Sequence, residues 1–325
     1  MQPTKMLQFQ ESLGSYHLCP IHRMRSDMTP TISKDTCSLE SERSSTWRPF
    51  SCHVLRSPAS LGLAIGIAMV VTIPSMPVAA QGIHADLCMQ GCPIGSPATN
   101  DLIIRDIYVL SSNDATKFAD WVAYRVTRNT IGPTARRTWR ADPWLAASET
   151  LEPDDYIGAN AALNTDRGHQ APLASFTGTD DWEATNYLSN ITPQSSALNQ
   201  GAWVRLESSV RTLAEEQAGP VYVMTGPLYE REMPSMPGAD EPHRVPSGYW
   251  KIIAMEENGE IEVAAFLFDQ DTPRRADYCE ERFVTSVRTI EGKARLNFFP
   301  ELTPADQDGL ETGLATLLTD LGCRP

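Results

Sequence analysis

The segments GYWKIIAM (residues 248–255) and EVAAFLFD (residues 262–269) predict the centre of the fold. Both are short runs rich in aliphatic and aromatic side chains, interrupted by polar residues as in half-buried antiparallel strands. Similar runs occur at residues 102–111, 121–127 and 219–226. Strand and helix patterns follow one another without a regular βαβ alternation. The expected class is therefore α+β, with a mainly antiparallel central sheet flanked by helices.

Three helices are expected around this sheet. Residues 196–219 carry apolar side chains at helical spacing from Leu198 to Leu213, and Gly219 is a typical stop signal. Residues 277–291 and 305–321 are predicted to form two further helices.

Residues 1–80 have the composition of a leader. An uncharged apolar core at residues 59–73 follows basic residues, and small residues precede an expected cut before Gln81. These features indicate a secretory signal peptide, and the core is shorter than the roughly 20 residues of a membrane span. The alternative is an uncleaved anchor. Because the basic region is long, a translation start downstream of Met1 is also expected, at Met24, at Met28 or at a non-Met codon nearer Arg56.

The remaining domain, residues 81–325, is strongly acidic. The chain holds 27 Lys and Arg against 41 Asp and Glu, a net charge of −14; residues 1–80 contain seven of the basic and five of the acidic residues, leaving −16. Its only lysines are Lys117, Lys251 and Lys293. Such a surface repels polyanions at long range. Any phosphate site must therefore be local, built from a few arginines and dependent on a cation.

Four cysteines remain in this domain, an even number that favours two disulfides in an exported chain. We expect Cys88–Cys92 as a tight local loop and Cys279–Cys323 as a clamp on the C-terminal region. Two other pairings are formally open, and so is a four-cysteine zinc site. The spacing within the first pair is unusual for zinc.

The stretch NTDRGHQAPLASF (residues 164–176) places an arginine two positions before a histidine. Arg167 could bind an anion beside His169, which could act as a base, and Gly168 would let the backbone come close. A lone histidine is more often structural than catalytic. The functional interpretation therefore depends on polar residues farther along the chain.

Asn199 and Glu207 lie eight residues apart within the expected helix, with Arg211 one turn beyond. An α-helix places the Asn199 and Glu207 Cα atoms about 12 Å apart along the axis and on roughly one side. Asn199 could bind Mg²⁺ through its amide oxygen while Glu207 holds the ion's waters, because Mg²⁺ keeps several waters in protein sites. The alternative is an ordinary solvated helix surface.

Three segments resemble the DNA/RNA non-specific endonucleases, a family of ββα-metal (His-Me finger) nucleases: DRGHQAPLASF, NYLSNITPQSSALNQGAWVRLE and VYVMTGPLYERE. The similarity extends over most of residues 100–285 and is nearest to the secreted bacterial branch. The combination of DRGH with SNITPQ and NQGAW at these intervals makes the resemblance specific.

The resemblance implies a role for each matching residue. His169 corresponds to the general base, Asn199 to the direct metal ligand and Glu207 to the acid that holds the metal's waters. Arg167 corresponds to a phosphate-binding arginine, as does Arg137, which fits the family's spacing to the DRGH motif better than its neighbour.

That neighbour, Arg136, remains the alternative for the upstream arginine. Arg211 corresponds to a further arginine near the scissile phosphate and Asn190 to a polar active-site residue, whereas Asp166 is expected to brace the turn.

The implied protein is a secreted, Mg²⁺-dependent endonuclease that hydrolyses DNA and RNA to 5′-phosphates, with Mn²⁺ as a substitute metal. An extracellular location with periplasmic transit or residence, no stable membrane association after cleavage and a homodimer are expected by the same resemblance. Two alternatives remain. One is a catalytically silent member that binds nucleic acid or protein, and the other is a nuclease toxin or effector with a neutralising partner.

Overall fold

The computed structural model describes residues 85–217, 219–313 and 315–324. The expected leader, residues 1–80, lies outside these residues. Among the described residues, no helix has the length and apolar character needed to cross a membrane.

A seven-stranded sheet in the order β1-β2-β3-β6-β7-β8-β9 forms the centre of the domain, and every neighbouring pair is antiparallel. Its strands are β1 (Asp101–Ile104), β2 (Val109–Ser112), β3 (Ala119–Val126), β6 (Val221–Leu228), β7 (Gly248–Glu257), β8 (Glu260–Asp269) and β9 (Val284–Thr285). Strands β4 (Thr165–His169) and β5 (Ile191–Ser195) form a separate antiparallel pair. The α+β class with a mainly antiparallel sheet is confirmed.

The long hairpin β7–β8 is closed by Asn258 and Gly259, both with positive φ, of 55° and 84°. A two-residue Asn-Gly turn favours this left-handed geometry and matches the twist of antiparallel strands. The turn fixes the register in which Glu257 pairs with Glu260.

Alternating side chains of β7 supply two cores, one on each face of the sheet. Tyr249 and Ile253 belong to a cluster that includes the helix residues Trp203 and Leu206. The side chains between them, such as Trp250, belong to a second cluster on the opposite face. Both faces are therefore buried, and the helices lie on both sides of the sheet.

The helices are α1 (Ala159–Leu163), α2 (Ser196–Leu198), α3 (Val204–Glu216), α4 (Val287–Ala294) and α5 (Pro304–Thr312). A π-helical turn (Asn199–Trp203) joins α2 to α3. The expected helix at residues 196–219 is therefore interrupted, and it ends at Glu216, before Gly219.

The expected strand at residues 102–111 is two strands, β1 and β2, of a hairpin. Arg105 turns the chain: its N–H donates to the carbonyl of Tyr108 at 2.9 Å, and its guanidinium forms an ion pair with the buried Asp142. The long apolar run contained no Gly or Pro to mark this turn.

Both C-terminal helix predictions were wrong in their bounds. Residues 277–283 form turns, and Cys279 within them is bonded to Cys323. Helix α4 begins only after Ser286, whose side chain accepts from the backbone N–H of Thr289. The second segment, residues 305–321, contains α5 and then a short 3₁₀ helix (Thr316–Leu318), with extended backbone at Gly313 between them.

Both expected disulfides, Cys88–Cys92 and Cys279–Cys323, are present in the structure. The first fastens the N-terminal segment, whose cysteines are buried against the core cluster that contains Trp250. The second joins the turn after β8 to the chain end and closes a loop of 44 residues.

Candidate active-site cleft

A cleft of about 620 Å³ opens between the β4–β5 hairpin, the loop that precedes it and the helical segment α2–α3. The residues from the sequence prediction that line it are Arg137, Asp166, Arg167, His169, Asn199, Glu207 and Arg211. The fold therefore brings together residues that are up to 74 positions apart in the chain.

The β4–β5 hairpin presents the Asp-Arg-Gly-His motif to this cleft. His169 ends β4 opposite Ile191, and Gly168 pairs with Thr192. A Cβ atom on Gly168 would lie 2.6 Å from side-chain atoms of Gln194. The glycine thus makes room for Gln194 within the hairpin, a role different from the expected close approach to a ligand.

The π-helical turn sets the position of Asn199. A Cβ atom on Gly201, in the middle of this turn, would lie 2.6 Å from the carbonyl oxygen of Arg274, so only glycine fits there. Asn199 lies at the start of the turn and donates its amide Nδ2 to Asp166 at 2.9 Å. π-Helical turns often occur at functional sites.

Asp166 braces the base of the cleft, as expected. Its carboxylate accepts hydrogen bonds from Ser196 at 2.7 Å, Asn199 at 2.9 Å and Gln200 at 2.7 Å. Burial alone would raise the pKa of Asp166, but these hydrogen bonds stabilise the charged form and hold the pKa below its ordinary value. Because the amide nitrogen of Asn199 is committed to this carboxylate, its amide oxygen is left for another partner.

His169 is buried, with 9% of its surface exposed, and its ring lies 5.2 Å from the ring of Trp139. Burial, followed by the positive charge of Arg137, lowers the pKa of His169 to about 3, against a weaker opposing effect of Asn186. Among the described residues, the ring Nε2 has no hydrogen-bond partner. At neutral pH the imidazole is therefore uncharged and able to accept a proton.

Three arginines line the same cleft as this imidazole: Arg137, Arg167 and Arg211. In the described part of the chain, none of them has a carboxylate oxygen within the 4.0 Å of an ion pair. Arg167 donates to the carbonyl of Pro153 at 2.9 Å and lies over the Tyr156 ring at 5.0 Å. The cleft therefore has positive charge available for an anion, within an otherwise acidic protein.

The structure also distinguishes between Arg136 and Arg137, the two adjacent arginines of the upstream loop. Arg137 lines the cleft and its charge affects both His169 and Glu207, whereas Arg136 does not line it. The geometry thus favours Arg137 as the upstream arginine.

Glu207 lies on the first turn of α3, almost fully buried. Its Oε1 atom has no hydrogen-bond partner among the described residues and lies 4.0 Å from Nζ of the buried Lys251. Burial raises the pKa of Glu207, although the charges of Lys251 and Arg211 act in the opposite direction.

Asn190, expected to be a polar active-site residue, lies outside the lining of the cleft. It is fully buried, and its amide accepts from the N–H of Ala171 at 2.8 Å. The same amide donates to the carbonyls of Ala171 and Thr185, each at 2.9 Å. The Asn190 amide thus joins the chain just after His169 to the segment around Thr185.

Sequence reasoning missed two groups in this region. Trp139 and Tyr156 form an aromatic wall beside Arg167, and a tryptophan two residues after Arg137 was the available signal. Lys251 also escaped notice as a site residue, although a lysine inside the apolar run GYWKIIAM is unusual for a buried strand.

The donor atoms at the cleft fit a hard divalent cation. Asn199 has an amide oxygen left over by the Asp166 hydrogen bond, and the Glu207 carboxylate lines the same cleft. Carboxylate and amide oxygens are the ligands that Mg²⁺ prefers, usually together with several waters. Of the two residues, only Glu207 brings a negative charge.

Comparison with known proteins shows which family this fold and cleft belong to. The family model of the DNA/RNA non-specific endonucleases matches residues 86–305. The chain belongs to this family.

Individual relatives agree with this assignment. A nuclease of Serratia marcescens is 48% identical over 241 residues, which cover 74% of this chain and 90% of the relative. Human mitochondrial endonuclease G is 30% identical over 224 residues, 64% of this chain and 72% of that protein. A solved complex of EndoG with EndoGI has the same fold, with a TM-score of 0.53 and 24% identity over 64% of this chain and 89% of the other.

Proposed function

We propose that the protein is a secreted, Mg²⁺-dependent, sugar-non-specific endonuclease in which His169 is the general base. The observation that carries this proposal is the cleft itself. One cleft is lined by a buried, neutral imidazole, by three arginines that lack carboxylate partners among the described residues, and by the oxygen-bearing side chains of Asn199 and Glu207. In this proposal, β4, β5 and the helical segment after them form the ββα-metal motif.

His169 takes a proton from the attacking water. The charge of Arg137 is one cause of the low pKa of His169, so a phosphate bound to Arg137 makes the imidazole more basic when substrate is present. Base strength thus rises where the reaction needs it.

Arg137 and Arg167 donate charge-assisted hydrogen bonds to the non-bridging phosphate oxygens, where negative charge develops, and Arg211 adds positive charge. Asn199 would hold the cation directly and Glu207 would hold it through waters. When bound, Mg²⁺, or Mn²⁺ in its place, supplies Lewis-acid stabilisation of the phosphate and the leaving oxygen. Contacts to phosphate and metal carry no base information, which supports broad specificity for DNA and RNA.

The first prediction tests the general base. Purified residues 81–325, folded with both disulfides, should cut plasmid DNA and RNA only with Mg²⁺ or Mn²⁺ and leave 5′-phosphates. His169→Ala should reduce kcat by about 10²–10⁴-fold, the typical contribution of a general base. An inactive wild type that still binds nucleic acid would favour the silent binding alternative. A His169→Ala variant that cuts equally well would refute the proposed mechanism.

The second prediction concerns secretion, which two disulfides support because such bonds persist in oxidising compartments. Expression of the full chain in a bacterial host should yield an exported protein whose N-terminal sequence begins at Gln81. Recovery of an intact residue 1–80 segment on the exported protein would contradict cleavage.

A further inference from the structure

Lys251 lies where a charged side chain is costly. It occupies the middle of β7, on the sheet face that carries Tyr249 and Ile253, and its side chain is fully buried. Burying an ammonium group without a partner is strongly unfavourable. Some other group in this core must therefore compensate the charge.

The surroundings of the ammonium group identify that partner. Nζ lies 4.0 Å from Glu207 Oε1, 4.0 Å from the ring centroid of Trp203 and 3.5 Å from the hydroxyl oxygen of Tyr124. Among the described residues, Glu207 is the only carboxylate paired with this lysine. The aromatic face and the hydroxyl hold the ammonium group in place, and the remaining attraction is directed at Glu207.

Glu207 depends on the lysine in the same way. Its Oε1 atom has no close hydrogen-bond donor in the described structure. Lys251 is the charged neighbour that most strongly favours the ionised carboxylate, and the Trp203 side chain adds a weaker hydrogen-bonding effect that also lowers the pKa of Glu207. Arg137 and Arg211 face Glu207 from the cleft, whereas Lys251 faces it from the core. Lys251 thus attracts the Glu207 carboxylate toward the core, against the attraction of the two arginines toward the cleft.

A purely structural role explains this lysine poorly. Replacing a buried ion pair with well-packed apolar residues is often neutral or stabilising. The neighbours Ile252 and Ile253 show that apolar side chains suit this strand. A lysine paired with the carboxylate of the proposed metal site is better explained by a role in positioning that carboxylate.

We infer that Lys251 is a positioning residue for the divalent cation: it holds the carboxylate of Glu207, from the core side, in the place from which that carboxylate binds the metal's waters. This inference rests on the proposed function, because it assumes that Glu207 serves a cation. It assigns Lys251 no contact with metal or nucleic acid. Its effect must therefore pass entirely through Glu207.

The test is Mn²⁺ binding to residues 81–325 without nucleic acid, followed by electron paramagnetic resonance. Lys251→Met should raise the Mn²⁺ Kd by about 10-fold or more, as the loss of groups that orient metal ligands does. Glu207→Gln should raise it similarly, and the double variant should bind no more weakly than Glu207→Gln alone. In cleavage assays, Lys251→Met should lower activity at limiting Mg²⁺, recover at high Mg²⁺ and leave KM for DNA little changed.

Ile253→Ala is the matched control, because it removes buried volume from the same face of the same strand without changing charge. It should lower the melting temperature and leave the Mn²⁺ Kd unchanged. If Lys251→Met does not fold, Lys251→Gln and Lys251→Arg replace it: the neutral variant should bind Mn²⁺ weakly and the charged one nearly as well as wild type.

The outcomes separate the two proposals. A wild type that binds no Mn²⁺ would overturn both the metal site and this inference. If Glu207→Gln weakens binding but the neutral Lys251 variants bind as wild type, only the inference fails. It also fails if Lys251→Met weakens binding further in the Glu207→Gln background.

Discussion

Arg137 and Arg288 each lie near a buried glutamate, but they relate to it in opposite ways. Arg288 on α4 forms ion pairs with Glu311 at 2.8 Å, Glu291 at 3.1 Å and Asp308 at 3.0 Å. Arg137 has no carboxylate within ion-pair distance in the described structure, although its charge affects Glu207 across the cleft. One arginine is thus neutralised within the protein, and the other is left available.

The two glutamates, Glu207 and Glu311, also differ in their surroundings. Both have a raised pKa because burial disfavours their charged form. Glu311 lies between two helices, where its neighbours are other side chains of the C-terminal region. Glu207 lines an open cleft. The comparison shows that burial alone does not mark a functional carboxylate; cations left unpaired beside an open space do.

The largest expected effect tests the difference between Arg137 and Arg288. Arg137→Ala should lower kcat for plasmid cleavage by roughly 10²-fold, a typical loss for one donor to developing negative charge. It should leave the melting temperature unchanged, because this arginine has no ion pair to lose. Arg288→Ala should do the reverse, with a lower melting temperature and a wild-type kcat for the folded protein.

Arg136→Ala is the control for Arg137→Ala, since it removes the same charge from the same exposed loop but outside the cleft. It should change kcat by less than about threefold, the effect of a surface charge. Equal losses in Arg136→Ala and Arg137→Ala would mean that the loop acts through general charge and that the placement of Arg137 is not informative.

The residues of the cleft were predictable because the motifs that carry the family resemblance lie in short segments. The motif around His169 and the residues from Asn199 to Arg211 each lie on one contiguous stretch, so their grouping survives errors in the surrounding secondary structure. The central strands were equally accessible, since β7 and β8 are long and joined by an Asn-Gly turn.

What the sequence could not predict depends on distant contacts. The π-helical turn requires glycine at position 201 because the backbone of Arg274 packs against it. The sequence around Gly201 gives no sign of this distant contact. Lys251 is explained only when α3 brings Glu207 over β7.

The smallest expected effect concerns the protonation of Glu311 and its contribution to stability. Burial and the nearby charge of Glu291 raise the pKa of Glu311 to about 7, whereas an unfolded chain has a value near 4.5. The folded protein therefore holds a proton that the unfolded chain has lost, and the free energy of unfolding falls as pH rises from about 4.5 to 7. Glu311→Gln is neutral throughout, so it should gain stability relative to wild type at pH 8 compared with pH 5.

We expect this gain to be on the order of 1–2 kcal/mol, reduced from the full equivalent of the pKa shift because Arg288 compensates part of the charge. Thermal unfolding of both proteins at the two pH values measures it. Asp308→Asn, which changes an exposed partner of the same arginine, should show no such pH-dependent gain. Cleavage by Glu311→Gln should match wild type, because this carboxylate has no access to the cleft. A pH-independent stability difference would mean that Arg288 keeps Glu311 ionised. Glu207 and Glu311 would then differ in their access to the cleft but not in how well their charge is compensated.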